Sequence, residues 1–209
     1  MRLHQSALKT LVISLLVFVA ALVLAFLGIG LKYNFGAEAT VLYLPLVYAV
    51  LAVVVTSFLF GWVRYELNGG VALAVAVLHD QLLSFALTSL LSLVFPLSAY
   101  TPVFLVAGVA ASYVFSVPVL RDARQTLRSN NSLKREQAAA EAVKSGKPLK
   151  FTVAVIAVLS LSALIISGNS AMLGTVLPLF TGLFAALVSS CFLTPYLWAS
   201  MDPRISKRR

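Results

Sequence analysis

Long apolar runs broken by short polar stretches set the rhythm of this chain, and run length decides what they are. A helix that crosses a bilayer needs roughly 20 apolar residues. Windows near that length recur six times, at 10–31, 40–62, 70–95, 102–120, 151–167 and 173–199. The pattern predicts an all-α, polytopic membrane protein, a single six-helix membrane domain over residues 1–209. The first run follows Met1-Arg2-Leu3-His4-Gln5-Ser6-Ala7-Leu8-Lys9, a basic lead like that of a signal peptide. Its apolar stretch outruns the roughly 7–15 residues of a signal sequence, so a retained helix is expected. The fourth run opens on Thr101-Pro102, an N-cap residue followed by proline at the first helical position. Pro118, near its far end, is expected to kink that helix or loosen its last turn.

The stretches between the runs are short on one side: 32–39, 96–101 and 168–171 leave no room for an external domain. The other side has one sizeable connection, 121–150. Ser129-Asn130-Asn131-Ser132 reads as a break within it. Leu133 to Val143 then reads as an alanine-rich surface helix, with Ser132 as candidate N-cap and Gly146 with Pro148 as its stop. That helix is expected to be a solvated connector lying at the membrane surface. The competing reading is a docking surface for a partner.

Composition agrees with the runs. Hydrophobic residues make up 60% of the chain and charged ones only 11%, against about 25% charged in a soluble domain. A soluble globular protein is excluded. The net charge of +9 would suggest nucleic acid were it not so unevenly distributed. With the N-terminus inside, Lys32 is the only one of the 16 Lys and Arg residues on the outer side. The positive-inside rule therefore puts both termini and the 121–150 connection in the cytoplasm. The basic excess is a topology signal and a contact for anionic lipid headgroups. No nucleic-acid partner is expected, the C-terminal Ser206-Lys207-Arg208-Arg209 notwithstanding. Cys191 is the single cysteine, so no internal disulfide can form.

One carboxylate lies where lipid should be. Asp80 sits about ten residues into the third run, roughly 15 Å at the helical rise and so near mid-depth. A charge there costs about 2.5–3.5 kcal/mol on insertion scales, which requires shielding or a task. Helical spacing places Ala72, Ala76, Asp80, Ser84 and Thr88 on one stripe of small and polar residues, the kind that faces other helices. Asp80 is thus expected to point into the bundle. It would serve there either as a structural lock accepting several hydrogen bonds or as an acid kept protonated by desolvation. His79 lies on a bulkier face with Val75 and Leu83, and is expected to be packed or hydrogen-bonded rather than a metal ligand.

Two further stripes have small-xxx-small spacing, Gly108-Ser112-Ser116 and Gly182-Ala186-Ser190, and are expected to serve close helix packing. No Ser-His-Asp arrangement, paired carboxylates, phosphate loop or CxxC motif is present, so neither enzyme activity nor a cofactor or metal is expected.

Several ordered segments resemble a known family. Phe60-Gly61-Trp62-Val63-Arg64-Tyr65-Glu66-Leu67, followed at the right spacing by His79-Asp80, is similar to the second-to-third-helix region of the SecF family of protein-export membrane proteins. Leu120-Arg121-Asp122-Ala123-Arg124-Gln125-Thr126-Leu127-Arg128 is similar, more loosely, to its Phe-Asp-Arg-Ile-Arg-Glu-Asn-Leu-Arg segment. Gly168-Asn169-Ser170-Ala171-Met172-Leu173 and Leu187-Val188-Ser189-Ser190-Cys191-Phe192-Leu193-Thr194-Pro195 look like its last hairpin and Ser-Ser motif. The family-motif residues carried over are Arg64, Glu66, Arg124, Ser189 and Ser190.

The resemblance implies a six-helix half of a SecD–SecF apparatus, of the resistance-nodulation-division superfamily, in a bacterial cytoplasmic membrane. Its implied partners are a SecD-like subunit and a SecYEG-type translocon, with an insertase as a further candidate. Two departures accompany it. The family's external domain between the first two helices is replaced by 32–39. The family's Asn-Asp-Thr proton site aligns with Val114, Phe115 and Ser116, without the titrating Asp, and its fifth-helix arginine falls near Leu149 or Lys150. The expectation is a SecF-like subunit without a complete proton relay of its own. Two alternatives stay open, a scaffold organising the translocon or an insertase without energy coupling, and a small-solute transporter using Asp80.

Overall fold

The computed structural model describes residues 2–26, 37–95, 106–130 and 132–201. Among these residues there is no strand, and the elements in order are α1 (Arg2–Phe26), α2 (Ala37–Leu91), α3 (Val109–Ser129), α4 (Arg135–Ser145), α5 (Lys147–Ile166) and α6 (Ser170–Val188). A π-helical segment (Ser189–Leu193) and α7 (Thr194–Ser200) complete them. Residues 32–36 of the first outer connection, the 96–101 connection, Thr101-Pro102 and 202–209 lie outside the described residues.

The second and third runs are the two limbs of α2, folded on each other at a two-residue kink. Only Tyr65 (φ −129°, ψ 18°) and Glu66 (φ 69°, ψ 173°) leave helical geometry. Such a turn brings the limbs into backbone contact, and glycine is what permits it. A Cβ on Gly61 would lie 2.7 Å from the Gly70 Cα, and one on Gly70 would lie 2.7 Å from the Phe58 carbonyl oxygen. Glu66 carries a conformation that side chains other than glycine's rarely adopt, at a cost of about 1–3 kcal/mol. Arg124 of α3 clamps the turn, donating to the Arg64 carbonyl and, at 3.0 Å, to Glu66 Oε1. Asn68 Nδ2 donates to the Met201 carbonyl at 2.8 Å and ties the same turn to the end of α7.

α3 runs on through Pro118 to Ser129, past residue 120 where the fourth apolar run ends. Proline removes a single intrahelical bond, and the stretch beyond it is held by packing. Val119, Leu120 and Ala123 are buried together with Tyr65, Ala72 and Leu73 of α2, Ala139 and Ala142 of α4, and Trp198 and Ala199 of α7. This core sits at the end of the bundle that carries the basic residues.

α4 corrects two expectations. It starts at Arg135, with Lys134 and not Ser132 as its N-cap. The Ser132 hydroxyl is already engaged, donating at 2.6 Å to Asn130 Oδ1, which also accepts the Ser132 N–H. An Asx turn therefore holds the break and displaces the helix start. Nor is α4 a solvated connector. Ala138, Ala139 and Ala142 are buried on one face, where small side chains let it lie against α3. Gly146 ends α4 as expected, its N–H donating to the Ala142 carbonyl. Pro148 does not stop a helix but occupies the first turn of α5, which begins at Lys147 rather than at 151.

Val47–Leu91, Lys147–Ile166 and Met172–Ser200 are long and apolar enough to cross a membrane. The first of these is folded at the kink into two limbs, and Leu8–Ala21 of α1 is a shorter apolar stretch beside them. Apolar side chains face outward in quantity: Leu15, Leu16, Val63, Phe151, Val158, Leu159 and Ile166 are all more than half exposed. In water that surface would aggregate; against acyl chains it is the expected exterior.

Candidate functional site

Asp80 is 1% exposed, and its stripe partners Ala72, Ala76, Ser84 and Thr88 are buried with it. One turn beyond Asp80, the Ser84 hydroxyl lies 2.9 Å from that of Thr181 on α6, and Thr88 lies 2.8 Å from the same oxygen. Thr181 also donates to the Pro178 carbonyl at 2.9 Å. These hydroxyls satisfy one another where neither water nor lipid could serve.

Asp80 itself gathers four parts of the chain. Its Oδ2 accepts from the Ser112 hydroxyl of α3 and, at 2.8 Å, from the Ser189 hydroxyl of the π segment. Its Oδ1 lies 3.2 Å from His79 Nδ1 on its own helix. His79 Nε2 lies 2.9 Å from the Ser14 hydroxyl of α1. With Asp80 ionised, the imidazole presents Nδ1–H to it, and Nε2 then accepts from Ser14. A carboxylate, an imidazole and three hydroxyls thus form one connected group in the middle of the bundle.

The two small-residue stripes meet at this group. A Cβ on Gly182 would come within 2.9 Å of the Gly108 Cα, so α6 and the residue preceding α3 touch backbone to backbone. Ala186 is fully buried. Ser116 lies 3.1 Å from the Thr194 hydroxyl. Ser190 keeps its own hydroxyl on the Leu187 carbonyl, and its backbone matters more. Pro195 has no N–H to offer the carbonyls four or five residues before it. Within the π segment Thr194 N–H reaches back to the Ser189 carbonyl, and the Ser190 carbonyl is filled from another helix. Lys150 of α5, only 6% exposed, donates its ammonium to that carbonyl at 3.1 Å and lies 3.7 Å from Cys191 Sγ. π-helical bulges of this kind recur at functional positions in helices.

At the basic end of the bundle, Arg64, Glu66 and Arg124 form the clamp already described, and Arg135 Nη2 adds a contact at 3.8 Å to Glu66 Oε2. Phe115 of α3 is 2% exposed and packs as an apolar side chain.

Four groups were not read from the sequence: the Gly61–Gly70 approach, the Ser14–His79 contact, Thr181 with Thr194, and the burial of Lys150. A signal existed for the first, since Gly61, Gly69 and Gly70 lie within ten residues around a turn. None existed for Ser14, which a 65-residue separation joins to His79.

The fold and this interior define the chain as a polytopic helical membrane protein whose packed centre is organised around one carboxylate. The family described as protein export membrane protein SecD/SecF, C-terminal, matches residues 38–204. The chain belongs to that family, and its place is in protein export. No curated protein and no solved structure matches it.

Proposed function

We propose that this chain is the SecF-like subunit of a protein-export assembly in a bacterial cytoplasmic membrane, acting with a SecD-like partner and a SecYEG-type translocon. The family match over 167 residues, 38 to 204 inclusive, carries this reading. In it, the chain supplies a helical half-assembly, and proton coupling resides in the partner. Two observations support that division of labour. Phe115 is a buried apolar side chain where the relay acid would stand, and 109–120 of α3 contains no acid at all. Asp80 has both carboxylate oxygens engaged by side chains of its own bundle, which suits a lock between helices.

The same two observations favour, as a second reading, a scaffold that organises the translocon or an insertase without energy coupling. The solute-transporter alternative gains nothing from an Asp80 enclosed by its neighbours. Purification in mild detergent with identification of bound subunits separates these readings. A SecD-like subunit with an intact proton motif, retained together with channel subunits, is expected. Retention of channel subunits without any SecD-like protein would move the assignment to the scaffold. Purification as a lone chain would remove the export-subunit reading.

A further inference from the structure

A cavity of about 140 Å³ opens at the basic end of the bundle, between the α2 kink, α3, the start of α4 and α7. Arg124, Arg128, Arg135 and Glu66 provide its charge, and Tyr65 and Trp198 its aromatic wall. Three guanidinium groups against one carboxylate leave a formal excess of two positive charges. Glu66 engages Arg124 and Arg135 from one side. The Arg135 guanidinium lies over the Trp198 ring, 5.2 Å from its centroid, which fixes its plane. Its Nη1 is buried and has no hydrogen-bond partner. A charged donor in that condition calls for an acceptor, since buried polar groups in folded proteins are almost always satisfied. Arg128 is exposed, stands one turn after Arg124, and makes no ion pair or hydrogen bond among the described residues.

We propose that this pocket binds a phosphate group, supplied by the headgroup of an anionic phospholipid and held between Arg135 and Arg128. Guanidinium groups match phosphate oxygens with paired N–H donors. The charge distribution puts this face of the bundle in the cytoplasm, where the leaflet is anionic and basic pockets beside helices take lipid headgroups. The aromatic wall suits the same depth, because tryptophan and tyrosine concentrate at the membrane–water boundary. A phosphate seated there would join α4 to α3 beside the α2 kink, so headgroup occupancy would set how firmly the 121–150 segment is held. The inference goes beyond the export role and does not depend on it.

The test is a titration of the detergent-solubilised chain, read by thermal unfolding and by native mass spectrometry. The probes are dioleoyl phosphatidylglycerol, dioleoyl phosphatidylcholine and inorganic phosphate. Saturable binding and stabilisation by phosphatidylglycerol are expected, with phosphatidylcholine at least fivefold weaker. Arg128→Gln, which removes no hydrogen bond or ion pair among the described residues, should weaken phosphatidylglycerol at least fivefold. Arg135→Gln should abolish binding, and should that variant fold poorly, Arg128→Gln still decides. Lys144→Gln, an equal loss of charge on the exposed face of α4, should leave binding unchanged. A saturable response to inorganic phosphate, lost in Arg128→Gln, would support the same site filled from solution. Equal weakening by Lys144→Gln and Arg128→Gln, or no saturable response to any probe, would overturn the proposal.

Discussion

Replacing Asp80 by leucine and by asparagine separates a lock from a relay. Asp80→Leu keeps approximate volume and strands the Ser112 hydroxyl, the Ser189 hydroxyl and His79 Nδ1. At about 0.6 kcal/mol for each interhelical hydrogen bond in a membrane bundle, three contacts come to about 2 kcal/mol. Counted as stranded buried donors, at about 1–3 kcal/mol each, the loss is larger. Ser189 has a partial substitute, the Ala186 carbonyl at 3.3 Å, which trims the upper figure. A loss of about 2–4 kcal/mol follows, or a fall in Tm of about 5–15 °C for a chain of this size. Asp80→Asn can keep every contact. Its carbonyl oxygen accepts from Ser112 and Ser189, and its amide donates to His79 Nδ1. The imidazole proton then moves to Nε2 and is donated to Ser14. The expected cost is under about 1 kcal/mol, with export at the wild-type level. Thermal unfolding in detergent and pulse-chase export in cells are the two readouts. Loss of export in both variants, with the asparagine variant as stable as wild type, would falsify the lock.

Four further outcomes follow from the same structure. In a Cys191→Ala background, a cysteine at Asn130 should resist an impermeant thiol reagent in intact cells and one at Ser170 should react; the reverse labelling would invert the topology. The chain reconstituted alone in liposomes should take up no protons above empty vesicles under an imposed gradient, and uptake abolished by Asp80→Asn would return the relay to this subunit. Gly182→Val should lower stability by more than about 3 kcal/mol, beyond the usual cost of overpacking, because its first carbon already meets the Gly108 backbone; an unchanged Tm would mean the two backbones do not touch. Glu66→Gly should raise Tm by a few degrees, since relief of a φ of 69° outweighs ion pairs made by a largely exposed carboxylate; a fall would show that the arginine contacts dominate.

Run length and charge exposed the membrane class because a bilayer imposes them residue by residue. Four-residue spacing also placed Asp80 among the buried small residues, since a helix face is a local property of sequence. What stayed hidden is what depends on distant partners. Nothing near His79 announces Ser14, and nothing near Lys150 announces a carbonyl left open by Pro195. The α4 helix was misread for a related reason. Alanine is a good helix former in any setting, so an alanine-rich segment does not say whether its face meets water or α3. At Ser132 two local signals competed for one hydroxyl, and the Asx turn with Asn130 took it.

Depletion of this chain from its native host, followed by pulse-chase of a secreted precursor, tests the export role most directly. Precursor is expected to accumulate in the cytoplasm, and export to recover with wild-type chain and equally with Asp80→Asn. Undisturbed export after depletion would contradict that role.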